Sequence, residues 1–187
     1  MGLAVASGCE IEKPLYITDQ LEMEELMRHN IELNGLKSRV KSAILNWYVP
    51  HTQRFFFFSF FFVTLDLCVP TGLGRDPKKY VLITTFSVCR SRGETLSQDI
   101  VDFRPDTILA ADCVYFEPAF PLLLATLGDL LELSPSATIY FCFKKRRRAD
   151  MQFLKSAKKA FTVTEVEDDD RPVFSREGLF LYSFTRK

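Results

Sequence analysis

The sequence predicts an α/β domain: a doubly wound, mostly parallel sheet with helices on both faces. Three observations lead there. Short apolar, β-branched runs alternate with longer stretches of helical periodicity, the pattern of strand–helix–strand units. Two of these runs, residues 15–19 and 106–112, close on an acid, Asp19 and Asp112. Two further strand-like runs, 161–166 and 179–184, end the chain and suit an antiparallel hairpin. Right-handed crossovers make such a sheet doubly wound, and its ligands bind at the carboxyl ends of the strands, where both acids fall.

Taken in order, Leu3 to Ala6 reads as the end of a helix, stopped near Gly8. Residues 15–19 form the first strand. A helix follows over 21–34, with Met23, Leu26, Met27 and Ile31 on one stripe and Asn34-Gly35 as its stop. Residues 40–45 and 106–112 are the next strands, and the leucine-rich 120–133 is a helix. A strand at 137–143, an amphipathic helix at 149–160 and the terminal pair complete the domain.

The totals exclude several function classes. A chain of 187 residues is one domain with a real core, and 47% hydrophobic content is too high for disorder. The 24 basic residues cancel the 24 acidic ones, so binding of nucleic acid by bulk charge is not expected. Five scattered cysteines without CxxC spacing, beside only His29 and His51, predict reduced thiols and no metal site. The start has no basic leader before Glu10 and Glu12. The apolar run from Phe55 to Val69 is interrupted by Ser59 and Asp66 and is shorter than the ~20 residues a membrane span needs. A cytoplasmic protein with no membrane contact is expected.

Asp19 ends a strand before a helix. There an acid accepts hydrogen bonds from ribose hydroxyls, or caps the helix that comes next; the sequence leaves both open. Asp112-Cys113-Val114-Tyr115 is the second candidate, an acid and an aromatic after a strand. Cys113 has no histidine positioned to activate it and reads as a core cysteine. The basic run from Lys144 to Arg148 reads as a solvated helix start that could also steer an acidic protein partner.

The stretch from Ile108 to Pro121, with Asp112 and Tyr115, resembles the acid-x-x-aromatic motif after strand four of the non-SET, seven-β-strand protein-lysine methyltransferases. Residues 17–23 and Leu45-Asn46-Trp47 are similar to that family's second and third strand motifs, and residues 141–150 and 175–182 to later segments. Within that family the chain resembles the enzymes that methylate a lysine of translation elongation factor 1-alpha. The resemblance implies a Rossmann-like class I sheet, S-adenosylmethionine as cofactor, and elongation factor 1-alpha as protein substrate of a monomeric enzyme. It places Asp19 on the cofactor's ribose, Trp47 against the cofactor, and Ala111 in the pocket wall through its backbone. Asp112 and Tyr115 would stand where the target lysine enters. Nucleic-acid amino methyltransferases carry Asn/Asp-Pro-Pro-aromatic where this chain reads Asp-Cys-Val-Tyr. Asn46 departs from the acid common before the tryptophan.

Two larger departures are expected to matter. The family's first strand and its Gly-rich loop are missing, because Met1 falls inside the helix that would come after them. The sheet should therefore lack strand one. Residues 48–92 have no counterpart in the pattern and read as an insert in a single domain over 1–187. They include the run 55–62, whose seven phenylalanines would need a core of their own at roughly 1.5–3 kcal/mol per buried ring. Trp47-Tyr48-Val49 must be encoded TGG-TAY-GTN, which spells a splice-donor sequence, and Phe and Ser codons supply a pyrimidine tract. A translated retained intron over 48–92 is the expectation, with a real inserted strand under a partner surface as the alternative. An inactive fragment surviving as an interaction module is the alternative to the enzyme.

Overall fold

The computed structural model describes residues 6–8, 14–19, 21–45, 80–83, 96–114 and 116–187. Their strands are β1 (Leu15–Asp19), β2 (Val40–Ile44), β3 (Tyr80–Ile83), β4 (Thr107–Ala111), β5 (Thr138–Lys144), β6 (Thr162–Glu165) and β7 (Leu179–Thr185). The helices are α1 (Glu24–Leu33), α2 (Gln98–Phe103), α3 (Phe120–Leu133), α4 (Arg148–Ala160) and α5 (Arg171–Glu177). One sheet runs in the order β2-β1-β3-β4-β5-β7-β6. Its first five strands are parallel, and β7 and β6 join antiparallel. The expected mostly parallel sheet with an antiparallel C-terminal pair is what forms.

Burial follows the strands' chemistry. In β4 the first four residues of TILAA are buried, as a central parallel strand covered on both faces requires. Alternate residues feed two cores. Ile108 and Ala110 join Ile100 of α2, Leu123 and Leu127 of α3, and Phe153 and Ala157 of α4. Leu109 points the other way, into a smaller cluster with Leu15, Ile17, Met27 and Ile31 under α1. Phe141 of β5 stacks on Phe153 at 5.2 Å and on Phe184 of β7 at 5.0 Å, which ties the C-terminal pair to the parallel part. Such ring pairs add about 0.5–1.5 kcal/mol beyond the burial of each ring.

Helix α1 ends as its sequence dictates. The Gly35 N–H reaches Glu32 O at 2.9 Å with φ +65°, a left-handed turn that glycine adopts without strain. Of its predicted stripe, Met27 and Ile31 are buried, but Leu26 is 49% exposed. At 100° per residue Leu26 lies 100° round the helix from Met27 and about 140° from Ile31, so the buried stripe that Met27 and Ile31 share leaves it outside.

The centre of the sheet differs from the sequence-based expectation. The slot expected to lack a strand is occupied by β3, drawn from within residues 48–92. It pairs in parallel with β1 (Ile17 opposite Leu82) and with β4 (Leu82 opposite Leu109). An apolar Tyr-Val-Leu-Ile run satisfies both facing rows of backbone donors and acceptors whatever its origin. The phenylalanine run 55–62 lies outside the described residues. Helices α2 and α5 are also additions to the elements expected from sequence. Both are short, six and seven residues, too short for periodicity to declare them.

Because β3 is bonded on both sides, proline at Val81 should cost more than the ~1 kcal/mol of one backbone hydrogen bond. Urea unfolding should give a clearly lower midpoint for Val81→Pro and a smaller loss for Val163→Pro on the edge strand β6.

Candidate active site

The direction of winding reverses between β1 and β3: the chain steps outward from β1 to β2, then from β3 through β4 to β5 the other way. Ligands of open α/β sheets sit in the crevice at that reversal, beyond the strands' carboxyl ends. Asp19 is the last residue of β1 and is 6% exposed. Ala111 is the last residue of β4, two strands away, or roughly 10 Å at ordinary strand spacing. Leu45 donates its N–H to Asp19 O at 2.9 Å, which fixes the end of β2 beside the acid, two residues before Trp47. Trp47 and Tyr115 themselves lie outside the described residues. The site residues that are described, Asp19, Ala111 and Asp112, all share the carboxyl edge.

Asp112 is where the β4 ladder ends. Its N–H donates to Cys142 O at 2.7 Å, and its φ of +53° is left-handed, a conformation Asp tolerates better than most residues. The carboxylate does not cap α3; that helix has no side-chain cap, with proline in its first turn instead. A guanidinium fork takes it: Arg146 Nη1 donates to Oδ1 at 2.7 Å and Nη2 to Oδ2 at 2.8 Å. The side chains are 35% exposed at Asp112 and 43% at Arg146, so the pair stands at the rim of the crevice.

The loop that presents Arg146 is itself anchored. Asp150 in the first turn of α4 is 1% exposed, and its Oδ2 accepts the backbone N–H of Arg146 at 2.8 Å and of Arg147 at 2.9 Å. Arg147 Nη2 bonds Asp150 Oδ1 at 3.2 Å and crosses to Val114 O at 2.9 Å. Two arginines of the basic run thus clasp the loop after β4. From sequence the whole run is expected to be a solvated helix start. The signal that finds the clasp is the acid three residues into the helix, Asp150, which marks an N-terminal capping arrangement. Cys113 is buried, with its Sγ on Ala111 O at 3.4 Å.

Electrostatics follow from this packing. The hydrogen bond to Asp112 raises Arg146 above its usual value, and partial burial opposes it. Burial pushes the Cys142 thiol up to about 11, with the Asp112 charge adding to the shift. Among the described residues no group of three or more His, Cys, Asp or Glu could hold a metal ion, and no helix is long and apolar enough to cross a membrane.

Comparison with known proteins bears on this geometry. A family profile described as lysine methyltransferase matches residues 1–59 and 91–160 and passes over 60–90. The chain is similar to the protein-lysine N-methyltransferase EFM6 of Saccharomyces cerevisiae, 40% identical over 174 residues, which is 92% of this chain and 55% of that protein. It is also similar to the protein N-lysine methyltransferase METTL21A of Mus musculus, 37% identical over 78 residues, 40% of this chain and 35% of that one. The chain therefore spans about half the length of the yeast relative.

Two outcomes check the site's anatomy. Asp150→Ala leaves two backbone N–H groups and a guanidinium without their acceptor and should lower stability by about 3 kcal/mol in urea unfolding. Cys142 stays a thiol until the pH nears 11, so at pH 8 iodoacetamide should label it far more slowly than in 8 M urea, read by site-resolved mass spectrometry.

Proposed function

Because this chain belongs to the lysine methyltransferase family, we propose that it methylates a lysine ε-amine of a protein, translation elongation factor 1-alpha, using S-adenosylmethionine. The observation that carries this reading is the placement of two acids at the carboxyl edge across the winding reversal, Asp19 at the end of β1 and Asp112 just past β4. The described groups fit the nucleoside part of that cofactor. A buried carboxylate at a strand end suits a ribose diol, and the backbone at Ala111 forms a wall roughly 10 Å along the sheet. By the family resemblance Trp47 would serve the cofactor side and Tyr115 the lysine side.

The cofactor, when bound, supplies a methyl group on a sulfonium. The chain's residues hold the amine in line with it and keep water out. The lysine arrives as an ammonium with a reference pKa near 10.4 and sheds its proton to solvent. Deprotonated, the amine would present its lone pair to the methyl group that the bound cofactor would supply. Asp112 guides the amine by accepting its hydrogen bond, and the Tyr115 ring offers a face to the cation before it deprotonates. Scattered cysteines and balanced charge support a cytoplasmic protein that does not bind nucleic acid, and the reading takes it to act as a monomer. The family match passes over 60–90, most but not all of 48–92, which is consistent with an insert in a single domain; its origin as a translated retained intron is a proposal that rests on the codons alone.

The test is methyl transfer from labelled S-adenosylmethionine to unmethylated elongation factor 1-alpha, with calorimetry for cofactor binding. Asp19→Ala should weaken cofactor binding about tenfold to a hundredfold, the worth of hydrogen bonds to a charged acceptor. Asp112→Asn should lower kcat about a hundredfold with little change in cofactor affinity. A chain that neither binds the cofactor nor transfers methyl would instead be an interaction module.

A further inference from the structure

The Asp112–Arg146 fork has a chemical consequence that depends on reading Asp112 as the residue that meets the substrate lysine. A lone carboxylate beside a lysine favours the ammonium and raises its pKa, away from the neutral form that reacts. The reference pKa near 10.4 already leaves only about one amine in a thousand neutral at pH 7.4. An acid at the entrance would recruit the substrate and at the same time hold it unreactive.

We propose that Arg146 is a positioning residue that cancels the charge of Asp112, so that the carboxylate aligns the substrate amine without keeping it protonated. Both carboxylate oxygens are engaged by the fork, at 2.7 and 2.8 Å. A carboxylate has about four acceptor sites, so each oxygen can still take one N–H from the lysine. The guanidinium remains charged at every working pH. A bound amine therefore meets a neutral pair, whose cationic side opposes the amine's own protonation.

The surroundings preserve that balance. Asp150 of α4 faces Arg146 but is matched by Arg147 at 3.2 Å. The Cys142 thiol of β5, raised to about 11, adds no charge near neutrality. Asp19 stands two strands away at the same edge. The fork cannot drift, because the Arg146 N–H is bonded to buried Asp150 and Arg147 grips Val114 O, on the loop Arg146 holds at Asp112.

The experiment measures kcat against pH from 6 to 10 on unmethylated elongation factor 1-alpha. It also measures the protons released when that substrate binds in the presence of S-adenosylhomocysteine, by calorimetry in phosphate and in Tris. The wild type should release close to one proton per lysine bound. Arg146→Gln should release fewer and move the acid limb of kcat up by about one pH unit, the lower end of what one opposite charge does. Activity should then fall most at the acid end, nearly tenfold at pH 6 and less at pH 7, and converge with wild type near pH 10. Arg146→Lys should restore most of the profile, and Asp112→Asn added to Arg146→Gln should bring the midpoint back down. A loss equal at every pH, with proton release unchanged, would mean a merely structural arginine and overturn the proposal. Wild-type binding without proton release overturns it even if Arg146→Gln does not fold. A wild type that neither binds cofactor nor methylates removes the functional reading itself, a result distinct from both.

Discussion

The structure depends on one constraint: the slot between β1 and β4 has to hold a strand. Those two strands carry the acid-bearing ends of the site, and each presents a row of backbone donors and acceptors toward the slot. Left open, the rows would be unpaired groups inside a covered sheet, each costing about 1–3 kcal/mol. The two halves of the sheet would also lose their common register. With β3 in place, Asp19 and Ala111 are fixed on one edge, and the reversal of winding that makes the crevice exists at all.

Strand backbones bring the site to the edge, and a second, local construction finishes it. The residue after β4 turns left-handed at Asp112, which throws the carboxylate clear of the sheet and toward the turn between β5 and α4. That turn is held from behind by an acid with almost no solvent exposure, Asp150. Burying such a group is costly unless its lone pairs are filled, and here two N–H groups and a guanidinium fill them. The rigidity of the clasp thus comes from a desolvated acid, while the charge it presents stays at the rim.

Much of this is legible in the sequence, for identifiable reasons. The runs at 15–19 and 120–133 coincide with β1 and with α3 in full, because apolar content, length and a polar stop agree there. Asp19 and Asp112 are legible as strand-end acids, and the motif around Asp112 carries the family resemblance. The features that depend on distant partners are not legible. Nothing local says that Arg146, 34 residues beyond Asp112, would fork onto it, and a run of five basic residues has no internal mark of which one turns inward. Nor does Tyr-Val-Leu-Ile announce the middle of a sheet. A four-residue apolar run is a strand only where two neighbours accept it.

The identity of β3 has a chemical consequence as well as a structural one. A sheet's hydrogen bonding tests the backbone of an inserted strand and is nearly blind to its origin, so a run outside the family pattern can fill the slot. The carboxyl end of that strand opens on the crevice, however, and there sequence matters. The resemblance implied a Gly-rich turn at this place, where backbone N–H groups approach a ligand closely. This chain reads Thr84-Thr85-Phe86-Ser87 after Ile83, a stretch without glycine. In the proposed reading, Asp19 and Ala111 at the neighbouring strand ends would hold the nucleoside. Residues 48–92 contain β3, so removing them as an intron would remove the strand that joins β1 to β4 in this structure. The segment that breaks the family pattern is therefore also the one that keeps the two acids in register.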